Sequence, residues 1–448
     1  MTTYNFVRAA ARVCRFILLL LTAVAALSAV RAASAGETAD VRFMFEPTGQ
    51  VYAAGDEAAV TMTVVDPAGE TARGGMLYVR VTNDGGETLE WHEFNLAEAN
   101  PTTFRTTLSF PGHMLIKVTA SGEKLGGDVH RSAGLLFSPE GIEPGLGKPD
   151  DFDAFWDAGK AEAREVPLDE RVTPIAELSD SEIEVFEVSF ATVDEKRVYG
   201  FLSKPVGEGP FPGIVTVPGA GSGTGPDLEL PREGFAVLAM NVFPYPVPID
   251  PVERQKVHDE FNTALGVRYC YVGAESRETY FFRAMYLGID RAIDWFAEQS
   301  FVDRNRIGFI GTSQGGASAL ILTAMNRNIK AAVASVPALC DHAGFLKGRA
   351  PGWPFLYSSC GNNPDVLEAS RYMDSVNFAR KIDSPIRVTT GLIDETCSPA
   401  SVFAAYNAIP AADKEILIEP RLAHANGVKY EEASAWLLDF VKNKCKKP

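Results

Sequence analysis

The chain of 448 residues is short of cations, with 42 Lys+Arg against 58 Asp+Glu and a formal charge of −16. Proteins that hold nucleic acid through bulk charge need the opposite surplus to neutralise phosphates, so that class of partner is excluded. Cysteine and histidine are scarce, at 6 each. No two cysteines stand at C-x-x-C spacing, which removes zinc-ribbon and thiol-redox readings. No metal or cofactor is expected. Past residue 30 no apolar run reaches the roughly 20 residues needed to cross a bilayer. At 46% hydrophobic and 22% charged residues, the composition is that of a globular protein and excludes disordered, collagen-like and coiled-coil classes.

Residues 1–35 read as an export signal. Arg8, Arg12 and Arg15 precede an apolar run at 16–30, and Ala33-Ser34-Ala35 supplies the small-residue cleavage pattern. Cleavage there removes four arginines and no acid, leaving a still more acidic protein, secreted or periplasmic. Beyond the signal a soluble protein with no membrane partner is expected. Cys340 and Cys360 could pair in an oxidising compartment, and two free thiols fit the sequence equally well.

Residues 36–138 carry seven short strand patterns separated by turn chemistry: Asp66-Pro67-Ala68-Gly69, Asn83-Asp84-Gly85-Gly86 and Phe110-Pro111-Gly112. That spacing predicts an antiparallel, immunoglobulin-like β-sandwich. Residues 139–149 are rich in Pro and Gly and read as a linker. From 150 to 448 the pattern changes. A helix opens at Asp151-Phe152-Asp153, a hairpin turns at Val193-Asp194-Glu195-Lys196, and apolar strands then alternate with helices. Phe282, Met285, Ile289, Ile293 and Phe296 fall at steps of three and four, a buried helical stripe. The alternation predicts an α/β fold with a mostly parallel central sheet covered by helices.

The sharpest local signal is Gly311-Thr312-Ser313-Gln314-Gly315, between a predicted strand and a predicted helix. G-x-S-x-G in that context is a nucleophile elbow, in which Gly311 and Gly315 give the room a tight turn needs. As a bare string it is weak, since about one chain in six of this length holds it by chance. A serine needs a base, normally histidine. His92, His113 and His130 fall in the predicted sandwich, and His258 precedes the serine, whereas the α/β-hydrolase order is Ser, acid, His. His342 follows Ser313 too closely for an acid on an intervening strand. His424, in the small-residue loop Leu422-Ala423-His424-Ala425-Asn426-Gly427, is the favoured base. Asp394 and Glu395 compete for the acid, and Asp394 is favoured because it directly follows the strand end. For the oxyanion hole, the backbone N–H of Gln314 and of Ala220 in Pro218-Gly219-Ala220-Gly221 are the candidates. A nucleotide loop is the rival reading of that segment, but Thr224 stands where the third glycine of G-x-G-x-x-G belongs.

These residues together resemble the family of acetyl xylan esterases and cephalosporin C deacetylases, α/β-hydrolases that take acetyl groups off carbohydrates and related small molecules. The resemblance spans about 148 to 445. It rests on Asp151-Phe152-Asp153-Ala154-Phe155-Trp156, the Ser313 elbow, Val336-Pro337-Ala338-Leu339-Cys340-Asp341, the run from Gly391 to Asn407, and His424. It implies Ser313, Asp394 and His424 as triad, acetylated oligosaccharides or other small acetyl esters as substrates, and a homo-oligomer such as a ring-shaped hexamer. Two departures stand out. The family usually has His-Gly-Tyr where this chain has Pro218-Gly219-Ala220, and its compact members lack the N-terminal β-domain.

Overall fold

The computed structural model describes residues 38–444. The export signal, Cys14 and Cys445 lie outside the described residues. Among the described residues no helix is long and apolar enough to cross a membrane.

The first eight strands are β1 (Asp40–Glu46), β2 (Val51–Tyr52), β3 (Glu57–Val65), β4 (Met76–Asn83), β5 (Thr88–Asn95), β6 (Thr102–Thr107), β7 (Gly112–Ser121) and β8 (Val129–Phe137). They form two sheets, β1-β3-β6 and β2-β8-β7-β4-β5, antiparallel except where β2 runs parallel to β8. Alternate residues Val60, Met62 and Val64 of one sheet and Leu77, Val79 and Val81 of the other share one core, all 0% exposed. The two sheets therefore face each other as layers. Asn83-Asp84-Gly85-Gly86 makes the β4–β5 hairpin, with Asp84 at φ 50° and Gly85 at φ 81°. Such paired left-handed residues suit the twist of the flanking strands.

The segment read as a linker is packed down. Ile142 is 2% exposed and belongs to the large core of the second part of the chain. Asn407 Nδ2 donates to the carbonyls of Pro139 (2.8 Å) and Ile142 (3.0 Å), and Gly145 N donates to Asp341 Oδ1 at 2.6 Å. Pro and Gly serve here for close approach, since a Cβ on Gly145 would fall 2.0 Å from Ala343 O.

Helix α1 (Phe152–Glu165) follows and buries Phe152, Trp156, Gly159 and Ala163 at helical spacing. Strands β9 (Arg171–Pro174), β10 (Ile183–Ala191), β11 (Arg197–Pro205), β12 (Phe211–Val217), β13 (Ala236–Met240), β14 (Val302–Thr312), β15 (Ile329–Ser335), β16 (Ile386–Gly391) and β17 (Lys414–Glu419) make one sheet. Its order is β17-β16-β15-β14-β12-β13-β11-β10-β9. Pairing is parallel from β13 through β17 and antiparallel among β9, β10, β11 and β13.

Both faces of this sheet are covered. On one side Val215, Leu238, Phe309 and Ala332 join the core with α3 (Phe281–Glu298), which comes after α2 (Pro251–Leu265) and whose predicted stripe of Phe282, Met285, Ile289, Ile293 and Phe296 is 0% exposed throughout. Each such phenylalanine contributes about 2 to 3 kcal/mol by burial. On the other side Ile214, Val237, Ala331 and Val333 meet Ala433 and Leu437 of the C-terminal helix (Val428–Asp439). This is an α/β-hydrolase fold preceded by an all-β region.

Candidate active site

The parallel strands end on one edge, where loops can carry chemistry clear of the sheet. Strand β14 ends there at Thr312, and Ser313 follows as the residue that caps α4 (Gln314–Met325), at φ 60° and ψ −117°. A non-glycine residue in that region is strained and must be held by its surroundings. The neighbouring glycines explain how. A Cβ on Gly311 would fall 2.1 Å from Gly315 O, one on Gly315 2.1 Å from Val217 O, and one on Gly316 2.5 Å from Ser335 O. The turn is braced by Ser313 N donating to Ser335 O (2.9 Å) and Ala338 N to Ser313 O (3.0 Å). Ser313 stays 9% exposed.

His424 Nε2 lies 2.9 Å from Ser313 Oγ, and its Nδ1 lies 2.8 Å from Asp394 Oδ2. With Nδ1 donating to the carboxylate, Nε2 is left to accept the serine proton. Asp394 is 2% exposed, and its Oδ1 accepts from the backbone N–H of Thr396 (2.8 Å) and Cys397 (2.9 Å). The carboxylate is satisfied on both oxygens although buried. Glu395, the competing acid, turns away to an ion pair with Lys117 of β7.

The other histidines lie elsewhere. His92 pairs with Glu90, His130 with Thr119, and His258 with Tyr245 and Asn262. His342 is buried with both ring nitrogens unpartnered among the described residues. His113 meets Asp84 and the Leu392 carbonyl.

The loop after β12 lies against the elbow, since a Cβ on Gly219 would be 3.4 Å from Thr312 O and 3.7 Å from Ser313 Cβ. Ala220 is next in that loop, and Gln314 follows the serine. The structure thus brings Ser313, His424 and Asp394 into one hydrogen-bonded chain, with Ala220 and Gln314 on segments beside the serine.

Three site residues escaped the sequence reading. Asn426 Oδ1 accepts from Thr312 Oγ1 (2.9 Å) and Ser335 Oγ (3.1 Å), tying the His424 loop to the strands below it. Tyr269 Oη donates to Gln314 Oε1 at 2.5 Å. The Cys397 thiol sits beside Asp394 and Ser313, and burial, reinforced by the Asp394 carboxylate, pushes it well above the ordinary thiol range. Asn426 and Cys397 lie inside segments singled out for His424 and Asp394, so proximity in sequence was the available signal. Cys340 and Cys360 are free thiols. Among the described residues no group of three or more His, Cys, Asp or Glu side chains is placed to hold a metal ion.

The model of the acetyl xylan esterase (AXE1) family matches residues 143–441, well over half of the chain. The chain belongs to the acetyl xylan esterase family. It is similar to the acetyl esterase Axe7A of Xylanibacter ruminicola, at 31% identity over 329 residues, 71% of this chain and 72% of that protein. Among solved structures, the acetyl xylan esterase from Paenibacillus sp. R4 superposes with a TM-score of 0.56 at 25% identity, over 68% of this chain and 98% of that one. Acetyl xylan esterase 1 from Thermoanaerobacterium sp. JW/SL YS485 shares the fold, with a TM-score of 0.58, 22% identity, and 68% and 97% coverage. Membership of the family makes the chain a carboxylic ester hydrolase. The family match starts at residue 143, beyond the last strand of the all-β region, which ends at Phe137.

Proposed function

We propose that this family member is an exported serine esterase that removes acetyl groups from acetylated xylan, xylo-oligosaccharides or related carbohydrate esters. Residues 150–448 act as the catalytic domain and 36–138 as an accessory β-domain. The observation that carries the reading is the unbroken chain from Ser313 Oγ through His424 to Asp394, at 2.9 and 2.8 Å. The family's named relatives support acetyl esters as substrates, and the Arg8, Arg12, Arg15 and Ala33-Ser34-Ala35 pattern supports export.

In this mechanism Ser313 Oγ attacks the acetyl carbonyl carbon while His424 Nε2 takes the hydroxyl proton. The N–H groups of Ala220 and Gln314 hold the oxyanion. Collapse breaks the bond to the sugar oxygen, which leaves with the proton from His424, and Ser313 is acetylated. Water then adds with His424 again as base, releasing acetate and restoring the serine. Asp394 keeps the imidazole in the working tautomer and stabilises its charged form.

The test is hydrolysis of p-nitrophenyl acetate by the wild-type enzyme and Ser313→Ala. A loss of about 10⁴-fold or more is expected. Full activity in the folded variant would refute the serine mechanism. Butyryl and longer esters, run alongside, measure acyl range. The loop Pro218-Gly219-Ala220 has no Tyr to border the acyl pocket, which favours a broader carboxylesterase range as the second reading.

A further inference from the structure

We propose that Asp84 and His113 of the all-β region are positioning residues for Asp394, so that the accessory domain sets the geometry of the triad. The inference rests on the reading of Ser313, His424 and Asp394 as that triad.

His113 is 1% exposed and Asp84 2%. His113 Nδ1 lies 2.8 Å from Asp84 Oδ1, and Nε2 lies 3.0 Å from the carbonyl oxygen of Leu392. A carbonyl only accepts, so Nε2 donates to Leu392 O, and a second proton lies between Nδ1 and Asp84 Oδ1. Leu392 stands two residues before Asp394. On the other flank, Asp84 Oδ1 also accepts from Ala400 N at 3.3 Å, in the first turn of helix Pro399–Ala408. That helix starts just beyond Cys397, whose N–H holds Asp394 Oδ1. One polar pair in the β-region therefore grips the acid loop both before and after Asp394.

The contact is tight and direct. A Cβ on Gly134 of β8 would fall 2.2 Å from Leu392 O and 2.5 Å from His113 Nε2, so the glycine lets the two chains close on each other. Around it, Asn83 Nδ2 donates to Lys347 O (3.0 Å), Glu87 N to Gly348 O (3.0 Å), and Lys117 pairs with Glu395. The turn that presents Asp84 is itself anchored, with Asp84 N donating to His113 O at 2.8 Å.

Stability alone accounts poorly for this pair. Asp84 Oδ2 is buried without a partner among the described residues, and replacing a buried polar pair by apolar packing is often neutral or stabilising. What an imidazole supplies and a leucine lacks is a directed N–H on the Leu392 carbonyl. A triad acid displaced by even about 1 Å costs on the order of 100-fold in rate. Neither residue touches Ser313 or His424, so the effect belongs to kcat.

Two amide variants separate positioning from bulk structure. In His113→Gln the amide nitrogen replaces Nε2 and can reach Leu392 O; in His113→Asn the shorter side chain stops near Nδ1. Both are neutral and polar, so a purely structural role would be hurt alike by the two. The expected result on p-nitrophenyl acetate is a fall in kcat of about 10- to 100-fold for His113→Asn, with KM within about twofold, and for His113→Gln a kcat within about threefold of wild type. His113→Phe fills the ring volume without a donor and should match Asn, which covers the case in which Asn does not fold. Wild-type kcat in folded Asn or Phe, equal losses in Asn and Gln, or failure of Gln to fold would each overturn the inference. Ser313→Ala assayed beside them separates the two levels. If it is inactive while His113→Asn is fully active, only the positioning role falls; if it is active, the triad reading falls.

Discussion

Asp394 Oδ2 stands 2.8 Å from His424 Nδ1, joining loops that leave the ends of two neighbouring parallel strands, β16 and β17. The carboxylate accepts on its other oxygen from two backbone N–H groups, so it presents one free face, aimed at the imidazole. In Asp394→Asn the amide oxygen stays on those N–H groups and the NH2, which only donates, faces His424 Nδ1, so the imidazole is driven to the wrong tautomer. A fall in kcat of about 10³- to 10⁴-fold is expected, with the fold retained. Glu395→Gln breaks only an exposed ion pair with Lys117 and should leave kcat within about twofold and stability within about 1 kcal/mol. Steady-state rates on a simple acetyl ester check both. Equal losses in the two variants would return Glu395 to contention.

The elbow glycines offer a stability contrast. Gly315→Ala places a methyl 2.1 Å from Val217 O, at the joint between α4 and β12, and backbone cannot swing aside as a side chain does. Destabilisation of about 3 kcal/mol or more, or failure to accumulate, is expected. Gly147→Ala meets nothing within 4 Å and should shift stability by less than about 0.5 kcal/mol. Urea unfolding of the two variants is the measurement, and a mild effect at Gly315 would contradict the tight turn.

Chain order and local pattern were enough to name residues that meet in space, because an elbow, a strand end and the last loop are each written in a few consecutive residues. The helix stripe from Phe282 to Phe296 was legible for the same reason, as its 3.6-residue period is a local property. Strands β2, of 2 residues, and β9, of 4, were not legible, being too short for alternation to register. Nor was the packing of 139–149, since its Pro and Gly content fits a free linker and a strap equally well. By sequence His113 is one of three histidines in the predicted sandwich. Its partner Leu392 lies 279 residues away, and no periodicity or spacing encodes a contact of that range. Tyr269, 45 residues from Gln314, was missed on the same grounds.

Tyr269 supports the residue whose N–H is proposed for the oxyanion hole. Its hydroxyl donates to Gln314 Oε1 at 2.5 Å in a site where Gln314 is 0% exposed and Gln314 Nε2 has no partner among the described residues. Tyr269→Phe strands the second end of that amide as well. The cost should be about 1 to 3 kcal/mol in urea unfolding. A drop in kcat smaller than the roughly 100-fold expected for loss of an oxyanion donor itself should accompany it, because the backbone N–H remains. An unchanged unfolding midpoint would show that the hydroxyl does not hold Gln314.

His342 sets a pH dependence of stability. It is 1% exposed with neither ring nitrogen bonded among the described residues, and burial pushes its pKa from the ordinary 6.5 down to about 4, against a smaller opposing effect of Asp341. Below pH 6.5 the unfolded chain therefore takes up a proton that the folded protein refuses. Stability from this residue is complete above that pH and is lost as pH falls towards 4, by roughly 2 to 3 kcal/mol at pH 4.5. The acids facing it act in the opposite sense. Burial pushes Asp341 and Asp374 up to about 6, so acidification through that range favours the folded state at those two positions. Arg349 pairs with Asp341. Because wild type and His342→Leu share these groups, their difference isolates the histidine. Urea unfolding at pH 7.5 and 4.5 should show the variant gaining roughly 2 to 3 kcal/mol relative to wild type at the lower pH. A difference independent of pH would mean that the folded protein accepts the proton at His342.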